Sequence, residues 1–297
     1  MSIVQFYKSQ VKVGANLWPV MPGGGTLNWP QNHAVPSMAG NYWAINYIEG
    51  FQSPSIDVAI PLLDGSTWNN CPIKVATINA IFMTRTSDYQ HDVTKVTQSL
   101  GIGLAFFDGF SGYGWPDAKG NSFSISGAKG EDVRFNCNFM LFSAAGTVPS
   151  VTTTPPDNTY PYFQGSPIRF QSLSFTKNGS AMDGLLSFNV NFSNNCSPDM
   201  SMVGAGPQSV LPVDINAGVA TMSAQFVFQA NASTHLANGD VITISITQNS
   251  ITTIFTLNAI IVDDGNKSRN VSTARQLRTY NIIGAGTSNL VPPLTIA

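Results

Sequence analysis

Short runs of alternating apolar and polar residues, bounded by Gly, Pro, Asn or Asp, recur along the whole chain and predict β-strands. Ile56-Asp57-Val58-Ala59-Ile60, Leu173-Ser174-Phe175 and Leu186-Ser187-Phe188-Asn189-Val190-Asn191-Phe192 carry this period of two, as do residues 221–228 and 241–246. Successive side chains of a strand point to opposite faces, so each run has one apolar and one polar face. Asp64-Gly65, Asn178-Gly179, Asn238-Gly239 and Asp264-Gly265 fall between runs and tolerate the positive φ of tight hairpin turns. Helical spacing is confined to two places. Residues 87–100 set Tyr89, Val93, Val96 and Leu100 three or four apart before Gly101, and residues 230–236 offer one turn before Gly239. The expected fold is all-β with minor helix.

A change of composition divides the chain. Residues 146–165 carry four Pro and a Thr run without alternation, which reads as an extended linker or crossing loop. The expected organisation is an N-terminal arm over residues 1–40, rich in Pro and Gly from 18 onward, and a first β domain over 41–147. A Pro/Thr-rich linker over 148–166 and a second β domain with a C-terminal tail over 167–297 follow. The two halves repeat weakly but in order. Ile45-Asn46-Tyr47 then Ile56–Ile60 parallels Leu173-Ser174-Phe175 then Gly184–Phe188, and Phe142-Ser143-Ala144-Ala145-Gly146-Thr147 parallels Ile282-Ile283-Gly284-Ala285-Gly286-Thr287. In both copies the candidate helix lies between the inner strand pair and the closing strand.

Composition narrows the function classes. The 297 residues include 14 Lys+Arg and 16 Asp+Glu, a charged share of 10% where roughly 25% is ordinary, and a net charge of -2. Disorder driven by charge, a polybasic nucleic-acid binder and an acidic tail are excluded at this balance. A weakly charged surface rich in Ser, Thr, Asn and Gln favours association, so an assembly subunit is expected. The N-terminal residues show no secretory signal, and no segment approaches the roughly 18 apolar residues of a membrane-spanning helix, so no membrane partner is expected. Three widely separated cysteines, Cys71, Cys137 and Cys196, read as free buried thiols rather than a disulfide framework.

Residues that could carry chemistry do not converge. His33, His91 and His235 stand singly, outside any metal-ligand spacing. Asp88, His91 and Asp92 read as a solvated helix face. Gly101-Ile102-Gly103 lacks the third glycine of a dinucleotide loop and reads as a strand entry, and Gly23-Gly24-Gly25 lacks the Lys and Ser/Thr of a phosphate loop. Asp263-Asp264-Gly265-Asn266 lacks the alternating acids of a calcium loop and reads as a turn. Lys267, Arg269, Arg275 and Arg278 form the densest basic stretch and read as an interface or solvated segment. No catalytic residue, cofactor-binding residue or metal ligand is assigned, and no enzyme activity is expected. The aromatic stretch through Phe106, Phe107, Phe110, Tyr113 and Trp115 leaves a carbohydrate-binding β-sandwich as an alternative, against a hydrophobic interface loop.

The C-terminal run Ala274-Arg275-Gln276-Leu277-Arg278-Thr279-Tyr280-Asn281-Ile282-Ile283-Gly284-Ala285-Gly286, followed by a short Pro-containing tail, resembles the closing strand and exit of the tail tube proteins of long-tailed bacteriophages. Residues 221–228, 230–236 and 241–246 look like that family's strand–helix–strand region. The first half looks like a diverged copy, with Phe135-Asn136-Cys137-Asn138-Phe139 in the closing position. The resemblance implies two tandem tube-like β-sandwich or half-barrel domains, each flanked by a short helix. Six such domains close a ring whose inner strands form one barrel, so two-domain chains imply a trimeric, pseudo-hexameric ring. It further implies stacked rings in a virion tail made in the host cytoplasm, and a lumen passed by DNA without sequence-specific binding. Its implied partners are further copies of the chain and the tape measure, terminator and baseplate proteins. The nearest alternatives are a baseplate hub, a tail terminator or a capsid decoration protein.

Overall fold

In the computed structural model the described residues are 10–13, 16–20, 24–29, 33–34, 48–49, 52–64, 78–83, 104–107, 112–115, 117–143, 150–152, 166–199, 211–212, 214–216, 218–229, 231–248, 250–263, 277–284 and 292–297. They contain strands β1 to β24, numbered in chain order, a π-helical turn over Asn79–Met83 and a 3₁₀ turn over Phe170–Ser172. The protein is all-β with minor helix.

A central sheet of eight strands organises the molecule. Its order is β22 (Ile260–Asp263), β23 (Leu277–Gly284), β19 (Thr221–Gln229), β16 (Leu185–Ser193), β10 (Asp117–Ala128), β11 (Arg134–Phe142), β6 (Ser55–Pro61) and β3 (Gly25–Asn28). Every neighbouring pair is antiparallel. The first four strands of this order belong to the second half of the chain and the last four to the first half, and the halves meet where β16 pairs with β10.

Each half covers one side of its share of this sheet with a second sheet. In the first half the order is β12 (Ser150–Thr152), β9 (Gly112–Trp115), β8 (Leu104–Phe107), β1 (Gln10–Val13) and β2 (Asn16–Pro19). In the second half it is β24 (Leu294–Ile296), β21 (Ile251–Leu257), β20 (Ile242–Gln248), β14 (Ser174–Lys177) and β15 (Ser180–Ala181). The apolar positions of each alternation meet between the layers. Trp18 of β2 packs on Phe139 of β11 at 5.9 Å, and Phe175 of β14 on Phe188 of β16 at 5.0 Å. Aromatic rings in these tilted and edge-on arrangements add to the burial of large apolar surfaces.

The strand order repeats between the halves. Ranked along the chain, the central strands of the first half lie third, fourth, second, first (β10, β11, β6, β3), and those of the second half do the same (β22, β23, β19, β16). A hairpin precedes the first central strand in each half (β1–β2, β14–β15). Another lies between the second and third (β8–β9, β20–β21), and one strand follows the fourth (β12, β24). Even the two-stranded ribbons β4 (His33–Ala34) with β5 (Ile48–Glu49), and β17 (Ser197–Asp199) with β18 (Asp214–Asn216), stand between the first and second central strands. Only β7 (Leu63–Asp64) and β13 (Ser166–Pro167) break the correspondence, and they pair with each other. This order matches β6 to β19 and β3 to β16, whereas residue similarity alone had set Ile56–Ile60 beside Gly184–Phe188. The closing runs do begin on matched strands, Phe142 at the end of β11 and Ile282 near the end of β23.

Several local expectations are met and others are not. Asn178 and Gly179 have φ of 48° and 80° and turn β14 into β15, as the Asn-Gly signal requires, and Gly239 has φ of 86°. The candidate helix over 87–100 and the Ile45-Asn46-Tyr47 run lie outside the described residues, as do Gly65, Asp264 and Gly265. Residues 231–236 form an irregular loop in place of the expected helical turn. Side-chain hydrogen bonds hold it instead: Thr234 Oγ1 accepts from the Asp183 amide at 2.7 Å, Asp183 Oδ2 accepts from the Ser233 amide at 3.4 Å, and Asp240 accepts from the Ala237 amide just beyond the loop at 2.8 Å. Within residues 10–34, expected as an irregular arm, β1, β2 and β3 join the sheets, and Val11 and Trp18 are buried. Residues 150–152 of the expected linker form β12.

Gly184 stands at the close approach that this loop needs. Its φ is 69°, and a methyl group at its Cα would lie 2.4 Å from Ala232 Cβ. Gly130, with φ of 90°, has nothing within 4 Å of the same added atom. Gly130→Ala is therefore expected to cost only the backbone strain, about 1 kcal/mol. Gly184→Ala should cost that plus the displacement of the 231–236 loop, roughly 2–4 kcal/mol in total. Urea unfolding of the two variants beside the parent checks the difference.

Candidate functional site

The outward side of the central sheet is left uncovered by the second sheets, and the polar members of the alternation collect there. Antiparallel register lines them up in rows across the strands. One row runs Ala59, Asn136, Ser124, Asn191, Ser223 and Ile283 over β6, β11, β10, β16, β19 and β23. The next runs Arg134, Ser126, Asn189, Gln225 and Asn281 over β11, β10, β16, β19 and β23. Hydroxyls and carboxamides dominate both rows, and the two rows pass the boundary between the halves without interruption.

The amides bond to one another across the strands. Asp57 accepts from Asn28 Nδ2 at 2.9 Å on one carboxylate oxygen and from Asn138 Nδ2 at 2.7 Å on the other. Asn138 Oδ1 accepts in turn from Asn121 Nδ2 at 2.9 Å, and Asn121 Oδ1 from the Cys196 amide at 3.0 Å. Further along, Asn136 Nδ2 donates to Ser124 Oγ at 3.3 Å and Gln225 Nε2 to Asn281 Oδ1 at 3.0 Å. Between β6, β10, β11 and β16 the sheet curves into an open trough of about 530 Å³, lined by Thr26, Asp57, Ser122, Ser124, Asn138 and Asn191 among others.

This surface is suited to contact without capture. Asp57 is the trough's lone carboxylate, and both its oxygens are occupied by amides, so it has no acid partner for general acid–base work. Phosphate binding draws on Lys and Arg; Arg134 stands at the margin of the rows, and Lys119 is paired with Asp214 at 2.8 Å. Among the described residues no group of three or more His, Cys, Asp or Glu could hold a metal ion.

The residues singled out from the sequence are scattered. His33 lies in β4, and Asp88, His91, Asp92, Cys71, Lys267, Arg269 and Arg275 lie outside the described residues. Arg278, expected at an interface or in solvent, turns back onto its own chain. Its Nη2 donates to the Ala232 carbonyl at 2.7 Å, its Nη1 lies 2.7 Å from His235 Nδ1, and its guanidinium stands 5.7 Å from the Tyr280 ring centre. Trp115 is 2% exposed and packs edge-on against Trp29 at 5.1 Å, so it cannot offer a face to a sugar. The Asn and Ser rows were not singled out, although the signal was present: the polar members of each predicted strand are nearly all uncharged.

The model of the phage tail tube protein family matches residues 25–287, from β3 through the end of β23 and beyond. The chain belongs to the phage tail tube protein family. A comparison with curated proteins gives no match. Family membership makes this a structural protein of the virion tail, one that self-assembles into a tube. What the geometry offers such a protein is a wide, sparsely charged face.

The two described thiols fit a structural role. Cys137 is buried, and desolvation, with a smaller contribution from the Asp57 charge, pushes its thiol far above the ordinary range. Burial pushes the half-buried Cys196 up to about 11, with the Lys119 charge opposing. The thiolate is the reactive form. Alkylation of Cys196 by iodoacetamide should therefore be slow at pH 8 and rise about tenfold per pH unit toward pH 10, while Cys137 stays unlabelled until the protein unfolds. Peptide mass spectrometry of the labelled protein reads both sites.

Proposed function

We infer that three copies of this chain close into a pseudo-hexameric ring, that rings stack into the hollow tail tube, and that the uncharged face of the central sheet lines the bore. One observation carries this reading: two chain halves with the same strand order build a single sheet whose uncovered face is mostly Asn, Ser and Gln, with few charges. Each half is taken as one tube domain, the first beginning at β1 and the second at β14, so three chains supply six domains. DNA passes along the bore without sequence-specific binding, because rows of self-bonded amides and hydroxyls give its phosphates few cations to hold. The chain works without cofactor and without enzyme activity.

The dimensions are consistent. Three eight-stranded sheets joined edge to edge, at about 4.8 Å per strand, give a barrel on the order of 40 Å across, and strand tilt widens it. That leaves room for a DNA duplex once side chains are allowed for. Tape measure, terminator and baseplate proteins would meet the tube inside and at its ends, within a tail assembled in the host cytoplasm.

Electron micrographs of concentrated purified protein should show hollow tubes or rings of constant diameter with threefold repeats. Dispersed monomers under all assembly conditions would overturn the reading. A chain found at only a few copies per virion would point instead to a hub, terminator or decoration protein, because a tube subunit must be among the most abundant virion components.

A further inference from the structure

We propose that residues 35–47, between β4 and β5, strap onto the next chain of the ring and cover its exposed pair Ile261 and Ile283, as the corresponding segment of the second half covers Phe142 within one chain. The proposal rests on the ring reading and adds to it an occupant for an apolar spot that the sheets themselves leave open.

One such strap is already in place inside the chain. The ribbons β4–β5 and β17–β18 stand at the same point of their halves, between the first and second central strands. They also share residues: Ser37-Met38-Ala39-Gly40 follows β4, and Ser201-Met202-Val203-Gly204 follows β17. The second of these ribbons leaves its own half and docks on the first. The Ser143 amide donates to the Pro212 carbonyl at 2.9 Å, and Lys119 Nζ lies 2.8 Å from Asp214 Oδ1 and 2.7 Å from the Ile215 carbonyl. Lys119 also stands over the Phe142 ring at 5.6 Å, while Leu211 and Ile215 are buried. Phe142 follows Asn136, Asn138 and Met140 at every second position of β11, so it belongs to the outward face. Under the strap it is only 2% exposed.

The same place in the second half is bare. Ile283 is the last outward position of β23, the fourth central strand of its half as β11 is of the other. Its register partner Ile261 stands where Asp117 stands beside Phe142. The two isoleucines are 55% and 45% exposed, and apolar groups left open together mark a contact surface. The ribbon β17–β18 steps from β16 onto the neighbouring β10 and β11. The same step from β3 leads past the end of the sheet, where the ring places β22 and β23 of the next chain. Residues 35–47 suit that site. They include no Lys, Arg, Asp or Glu, and they offer Met38, Tyr42, Trp43, Ile45 and Tyr47, of the kinds enriched in the cores of protein contacts.

The test places a photoreactive group at the exposed position, Ile283→benzoylphenylalanine in the full chain. Tubes are assembled from equal parts of this variant and isotopically heavy parent, irradiated and digested, and tandem mass spectrometry locates the adducts. Adducts within 35–47 of a heavy chain, absent from dispersed protein, are the expected result. Adducts confined to the variant's own chain, to 25–28 of β3 or to any other segment overturn the strap and leave the ring reading standing. If the variant does not assemble, hydrogen exchange on the parent decides. Amides over 35–47 should slow tenfold or more on assembly, and unchanged exchange there in tubes overturns the proposal. A parent that never assembles overturns both readings.

Discussion

The antiparallel pairing of β10 with β16 is the contact on which the rest of the architecture depends. It runs over seven residue pairs from Ser122↔Ser193 to Ala128↔Ser187 and turns two four-stranded sheets into one of eight. Its two faces do different work. On the inner face Phe123 stacks on Phe192 at 5.4 Å and Ile125 faces Val190, which merges the apolar layers of both halves into one buried cluster. On the outer face Ser122, Ser124 and Ser126 meet Ser193, Asn191 and Asn189, so the polar rows cross the join without a step. An unpaired strand edge leaves a row of amides and carbonyls available for pairing, and closing it removes that liability inside the chain.

Around this junction the remaining pieces are held by a few buried polar groups. Asn194, immediately after β16, is fully buried and donates from Nδ2 to the carbonyls of Phe82 at 3.0 Å and Gly120 at 2.9 Å. It thereby docks the Asn79–Met83 turn against β10 at the place where the register of β10 shifts between Gly120 and Ser122. Phe82 lies over Gly120 so closely that an added methyl group would sit 2.6 Å from its ring, and it packs onward at a tilt against Phe123 at 5.1 Å. The glycine, the bulge and the buried amide form one arrangement, which seats an aromatic ring beside the junction pair.

How far the sequence could be read follows from the range of the interactions. Strands were legible because alternation is local: the runs at Ile56–Ile60, Leu186–Phe192 and 221–228 all form strands, and Asn178-Gly179 turns as its chemistry dictates. The loop at 231–236 misled because Ala232, Thr234 and Leu236 are buried at every second position by contacts with distant residues such as Gly184 and Asp183, which local spacing cannot reveal. The repeat was visible in element order but slipped by one strand when matched residue by residue, since short alternating runs resemble one another whatever their place in the sheet. The polar face of the central sheet was hidden for a related reason. Its Asn and Ser residues stand out only as a set, and the set exists only once register aligns strands more than a hundred residues apart.

Joining two units in one chain changes how seams can be built. A contact within a chain forms at high effective concentration during folding, whereas a contact between chains must also offset the lost freedom of association. The tethered seam can therefore keep a fully polar outer face, as β10 and β16 do, and rely on the inner Phe123–Phe192 stack. A contact between chains gains from apolar surface that association hides, and the outer face carries the exposed pair Ile261 and Ile283 beside β22, an end strand of the sheet among the described residues. The scarcity of charge has the same logic: a lysine on either edge would keep the chain soluble alone and would block extension of the sheet. A charged share of 10% suits a chain that self-assembles, because little of its surface is left to keep a solitary monomer soluble.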